Sequence, residues 1–411
     1  MISLERIVTL DALDGFLARS RDKEATDFAL PIRLSETGIG FQATVIQLLL
    51  TWARSNSANR LIISRRVEQT ASADIKRLCA TEHGLVALLI APRVETPQGL
   101  NLGSLAIAEC HAAYSKISRQ PAATRSNSFF LVSNRLGKLE HAYDHLAPKT
   151  APPPRIEWFM RKVSRNLDDC ISASGSKHFA PSDAKDVVEI IYEVFANAEE
   201  WGSKSVDGER IRPDARGILL QVHDIAHEHL SNNNIATPSV HYVQQWKDGQ
   251  HARRKFLEVS IFDAGIGLAQ HALGKAITDA TSIKDEYDLV IRCLRKYTSA
   301  SGRTFRGLGL HRVMALLTQT KGFVRYRSGR LSLFRNFYEQ PFMPAIGREA
   351  LDQTPPTKFR ERNIYLFDWA TQSPALTEAP WADGALFTMI FPLKPADRQL
   401  RFDVPPTAPP D

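Results

Sequence analysis

The sequence predicts an α/β protein of two domains, and three observations lead there. The chain has 411 residues, two to three times the size of an ordinary domain, so more than one core is expected. Strand-like and helix-like segments alternate through its first hundred residues. Four prolines fall within residues 148–154, a spacing that forbids a helix and favours an extended linker.

The elements follow in chain order. Residues 28–34 (Phe-Ala-Leu-Pro-Ile-Arg-Leu) read as a strand, 40–54 as an amphipathic helix and 60–64 as a short strand. A helical stretch at 73–79 and an apolar run at 85–91 come next. Residues 1–147 are therefore expected to form a small α/β regulatory or partner domain. Their order resembles the STAS regulatory fold, although no motif specific to that fold stands in them. Residues 148–154 are the linker, 155–393 the second domain, and 394–411 a disordered tail in a region dense with proline.

Composition excludes several classes. Hydrophobic residues at 43% and charged residues at 24% match a soluble protein, and no apolar run approaches the roughly 20 residues of a membrane span. Residues 1–10 lack a basic stretch followed by an apolar segment, so no secretion signal is read and a cytoplasmic address is expected. Cys79, Cys110, Cys170 and Cys293 form no CxxC pair, which argues against a disulfide framework or a cysteine zinc site. The net charge is +7, and its distribution matters more than its size. Between Leu289 and Tyr338 there is no acidic residue, while the basic ones include Arg292, Arg295, Lys296, Arg303, Arg306, Arg312, Lys321, Arg325, Arg327, Arg330 and Arg335. That stretch expects an anion.

Three segments carry chemistry. In residues 182–202, Ser182 can cap a helix, Val187, Ile191, Val194 and Ala198 form its buried stripe, and Gly202 can end it. Glu193 and Asn197, four residues apart, stand side by side on its polar face. Such a pair can hold magnesium through the amide while the carboxylate orients or deprotonates a nucleophile. Residues 256–268 read as a strand running into Asp263-Ala-Gly265-Ile-Gly267. The glycines permit a tight turn, and the carboxylate can accept a hydrogen bond from an exocyclic amine such as adenine's. Residues 301–317 read as a glycine-rich loop, with Gly307 and Gly309, opening a helix. Bare amides and the helix dipole make a phosphate cradle there, with Arg303 and Arg306 adding charge.

Taken in order, and followed by the closing strand at 383–392, these segments resemble the GHKL superfamily of histidine kinase-like ATPases over residues 155–393. The resemblance implies the Bergerat fold, a two-layer α/β sandwich with a mixed sheet and helices on one face. It implies ATP and Mg2+ as cofactors, Glu193 as general base and Asn197 as metal ligand. Asp263, Gly265 and Gly267 would take the adenine, Gly307 and Gly309 the phosphates, and Thr388 would reach the adenine through water. Residues 268–306 would be a long lid with Arg295, Lys296, Arg303 and Arg306 as phosphate contacts. Trp201 stands where the family often has histidine, and residues 329–381 form an insertion before the closing strand. No transducer domain follows that strand, and His145-Leu-Ala-Pro148 has the wrong spacing for a phosphoacceptor. The expected function is ATP hydrolysis or phosphotransfer to a partner protein. The alternative is a nucleotide-gated binding module with little turnover.

Two further readings compete. His223, His227 and His229 have metal-ligand spacing, but a strand at 217–222 would leave them on its exposed end. Tyr297, Phe305, Phe323, Tyr326 and Phe334 interleave with the arginines, a pattern that also suits nucleic acid.

Overall fold

The computed structural model describes residues 2–4, 10–20, 26–32, 34, 38–63, 71–119, 128–133, 156–174, 181–226, 237–246, 253–295, 309–341 and 365–393. Among these, eleven helices accompany a four-stranded and a seven-stranded sheet. The expected linker and tail lie outside the described residues.

The first sheet is parallel, in the order β1 (Ile2–Ser3), β2 (Asp27–Ala29), β3 (Arg60–Ile62), β4 (Arg93–Glu95). Between its strands run α1 (Leu10–Ser20), α2 (Phe41–Ser55), α3 (Ala71–Cys79) and α4 (Glu82–Ile90), and α5 (Gly103–Arg119) follows β4. The apolar run at 85–91 thus belongs to a helix, capped by the Thr81 hydroxyl accepting from the Gly84 N–H at 3.2 Å. The strand expected over 28–34 is confined to β2, and Pro31 ends the pairing because it has no N–H to give. Twelve residues of α2, from Phe41 to Ala53, are buried. A helix apolar nearly all round must be covered on all sides, and α2 lies between the two sheets.

The second sheet runs β10 (Phe367–Asp368), β9 (Leu331–Asn336), β8 (Phe323–Gly329), β11 (Ala382–Pro392), β7 (Arg253–Asp263), β6 (Arg216–Ala226), β5 (Ser128–Ser133). Every pairing in it is antiparallel, where a mixed sheet was expected. Of the region 329–381, β9 and β10 extend the sheet to its edge, and residues 342–364 lie outside the described residues. β5 precedes the expected linker yet pairs with β6, from Ser128 opposite Gln221 to Ser133 opposite Arg216.

Two cores use the two faces. On one, α6 (Ile156–Ala173), α7 (Pro181–Trp201), α10 (Ile283–Leu294) and α11 (Gly309–Gln319) cover Leu131, Leu220, Val259, Ile261, Phe387 and Met389. On the other, α2 and its neighbours cover Phe130, Leu219, Phe262 and Leu386. Helices were expected on one face alone, but the alternation along each strand is apolar on both sides, so both sides need a cover. Of the remaining helices, α8 (Pro238–Gln245) packs Tyr242 and Val243 against Phe256, Phe323, Phe334 and Ile390 in a smaller cluster, and α9 (Gly267–Leu273) follows the turn after β7.

Candidate functional site

Helix α7 organises the site. Val187, Ile191, Val194 and Ala198 are buried, as their spacing predicts. The helix begins at Pro181, one residue before the expected cap. Glu193 and Asn197 are half-buried on the next face, and Asn197 Nδ2 donates to the Glu193 carbonyl at 2.8 Å. The asparagine Oδ1 is left without a partner among the described residues.

Gly309, the first residue of α11, meets this pair. A Cβ at Gly309 would stand 2.6 Å from Glu193 Oε2 and 3.9 Å from Asn197 Nδ2, so a side chain there would make the Glu193 carboxylate shift. One turn on, Arg312 Nε forms an ion pair with Glu189 Oε1 on α7. Burial raises the Glu193 pKa above its ordinary value, and the charge of Arg312 opposes that rise.

Asp263 ends β7 against the last turn of the same helix. A Cβ at Gly202 would lie 2.5 Å from the Asp263 Cβ, and one at Gly265 would lie 2.9 Å from the Trp201 carbonyl oxygen. The Gly265 N–H donates to Asp263 Oδ1 at 2.8 Å. Burial pushes the Asp263 pKa up to about 6, against the backbone donors of Gly265 and Ala385 and the charges of Arg216 and Arg54. Gly267 has φ of +75°, and a Cβ there would fall 2.1 Å from Ser328 Oγ. Trp201 packs against His271 with centroids 4.3 Å apart and the rings tilted by 43°. Burial lowers the His271 pKa.

Positions 193, 197 and 309 are therefore together, and so are 202, 263 and 265. Both groups abut one helix, and Glu193 to Trp201 spans eight residues, about 12 Å of its length. Thr388 is not among them. It sits opposite Ser260 in the register and bonds to the Ser260 hydroxyl at 3.1 Å, on the face covered by α2. The β11 residue opposite Asp263 is Ala385. A period of two separates these faces, and Thr388 is an odd number of residues from Ala385.

The acid-free stretch is mostly consumed by the fold. Arg325 lies over the Trp369 ring at 4.2 Å, and Arg327 Nη1 donates to the Gly329 and Leu331 carbonyls at 2.8 and 3.1 Å. Arg330 pairs with Glu286 at 2.9 Å, and Arg335 Nη1 donates to the Tyr365 carbonyl at 2.9 Å. Phe323, Tyr326 and Phe334 are buried, so none of them is a stacking platform. Lys296, Arg303, Arg306 and Gly307 lie outside the described residues, as do Tyr297, Phe305, His145, His227 and His229.

His223 is not on an exposed strand end. It lies within β6, and its Nε2 meets Glu258 Oε2 at 2.8 Å. Among the described residues no group of three His, Cys, Asp or Glu is placed to hold a metal ion. No helix among them is long and apolar enough to cross a membrane.

Sequence reading missed several groups at the site. Arg216 is fully buried beside Asp263 and donates from Nε to Glu199 Oε1 at 2.5 Å. Arg54, from the N-terminal half, donates from Nη1 to the Ala264 carbonyl at 2.8 Å, directly behind Asp263. Neither has a local motif. A cleft of about 500 Å³ adjoins the same turn, lined by Arg54, Gly265, Ile266, Gln270, Arg330 and Asp383 among others, and Glu193 is not part of its lining. Comparison with protein-family models, curated proteins and solved structures yields no match.

Proposed function

We propose that residues 155–393 bind ATP as a GHKL-type, histidine kinase-like ATPase unit. The observation that carries this reading is the contact of Gly309 with Glu193 and Asn197. Segments more than a hundred residues apart in sequence meet in the combination that the resemblance requires. The Asp263 turn abuts the same helix farther along its length.

Asn197 fits a magnesium ion, since its amide nitrogen is engaged and its Oδ1 has no partner among the described residues. The ion, when bound, supplies charge neutralisation at the phosphates. Glu193 accepts the proton of the attacking water or protein hydroxyl, and its raised pKa suits a base working near neutrality. The N-terminus of α11 begins beside the same pair, and a helix N-terminus favours an anion. Asp263 presents a carboxylate to the base amine.

One observation favours the nucleotide-gated reading as the second. Arg54 and the Thr51 hydroxyl of α2 bond to the Ala264 carbonyl and the Asp383 N–H at 2.8 and 2.9 Å. Closure on a nucleotide would therefore be felt by the N-terminal half, which is the surface offered to a protein partner.

Calorimetric titration with ATP and magnesium tests the site. Asp263→Ala leaves the base amine unpaired and should weaken ATP by on the order of 1–3 kcal/mol. Unchanged affinity in a folded variant rejects the assignment. Incubation with γ-labelled ATP separates hydrolysis, transfer and binding alone.

A further inference from the structure

We propose that Cys79 and Cys110 form a redox-modification site, a vicinal thiol pair that a small hydroperoxide converts to a disulfide. The cysteines end α3 and lie within α5, 31 positions apart, and their Sγ atoms are 3.7 Å from each other. A disulfide requires about 2.05 Å, so closure asks for a movement of about 1.7 Å. The helices already pack against one another, and no intervening side chain has to leave.

The two thiols are not equivalent. The hydrogen bond from Cys110 favours the Cys79 thiolate and lowers its pKa, with burial opposing. The Cys110 thiol is held above its ordinary value, first by the same hydrogen bond and then by burial. Cys79 is accordingly the attacking sulfur. The distal sites contrast with this pair: burial pushes the Cys170 thiol up to about 12 and the Cys293 thiol up to about 11.

Both sulfurs are buried, which excludes bulky disulfides and suits a hydroperoxide by size. The Cys79 sulfur attacks the hydroperoxide ROOH and breaks its O–O bond, giving the sulfenic acid and ROH. The Cys110 sulfur then attacks the sulfenic sulfur, the S–O bond breaks, and water leaves. Two thiols lose two hydrogens and two electrons, and one hydroperoxide is reduced to ROH and water.

The test exposes the full chain to hydrogen peroxide, blocks free thiols and maps peptides without reduction. A peptide joining Cys79 to Cys110, reversible by dithiothreitol, is expected, with free thiols falling from the four present to two. Cys110→Ser should trap a sulfenic acid at Cys79 that reacts with dimedone, and Cys79→Ser should leave Cys110 reduced at the same exposure. Should either variant fold poorly, the wild-type rate decides: the bond should form faster in the folded chain than in urea. Absence of the link, a link to Cys170 or Cys293 instead, or equal rates folded and unfolded would overturn the proposal.

Discussion

Along β7, Leu257, Val259 and Ile261 face α7 and α11, while Glu258, Ser260 and Phe262 face the N-terminal half. On the helix side the strand is apolar from Leu257 to Ile261 and polar at its two ends, at Arg253 and Lys255 and at Asp263. On the opposite side a carboxylate is buried in mid-strand. Glu258 Oε2 accepts from the Gly40 N–H and meets His223 Nε2, both at 2.8 Å, and Glu258 Oε1 accepts from Ser260 at 2.7 Å. A polar group at a strand end is available to a ligand, whereas one in mid-strand is committed to its neighbours. The candidate chemistry accordingly lies at the rim of one face, and the other face is a structural joint.

The two carboxylates carry opposite pH signatures. Burial raises both, but at Glu258 the bonds from His223, Gly40 and Ser260 outweigh it and its pKa ends below the ordinary value. At Asp263 burial prevails.

The largest effect that separates the faces is on turnover. Glu193→Ala should keep ATP and lose phosphate release by 10²- to 10⁴-fold, roughly what a lost general base costs. Equal release from variant and wild type would remove Glu193 from the chemistry. Asn197→Ala should instead weaken magnesium-dependent nucleotide binding itself.

Next in size is the joint. Glu258→Ala strips an acceptor from two buried donors, Gly40 and Ser260, and from the partly buried His223, and should destabilise by about 3–5 kcal/mol in denaturant unfolding. Glu193→Ala in the same assay should change stability little. Similar losses for both variants would erase the distinction between rim and joint.

The pH comparison sharpens it further. The folded Asp263 pKa of about 6 exceeds its ordinary 3.8, so its contribution is present below 3.8 and is lost as pH rises through 6. That loss is about 3 kcal/mol. The stability of wild type relative to Asp263→Asn should fall across that window. Glu258 has the opposite sign: its contribution is present above the ordinary glutamate value and lost as pH falls below it. A flat difference between wild type and Asp263→Asn would mean that the carboxylate is not enclosed.

The smallest effect tests Thr388. Thr388→Val removes the bond to Ser260 and should cost about 1 kcal/mol of stability with ATP affinity unaltered. A drop in ATP affinity would return Thr388 to the nucleotide.

Much was legible in the sequence because it was local. The period of α7, the strand entering Asp263 and the glycines of the turn are properties of consecutive residues, and each lies where its pattern predicts. So does the juxtaposition of Glu193 with Asn197, which follows from helical spacing alone. Tertiary structure decided the rest, because those choices depend on what covers each face. β5 is not read from the sequence at all, and only pairing with β6 makes it a strand. The arginines of 312–335 read as a basic field until Glu189, Glu286 and a set of backbone carbonyls consume them. Thr388 reads as a site residue until the register fixes its face. Burial also set the Asp263 pKa, with Gly202 packed on the side chain and Ala385 opposing the rise through its N–H, both arriving from elsewhere in the chain. Spacing governs what a segment becomes, and only packing against distant segments determines which of its groups stay free to react.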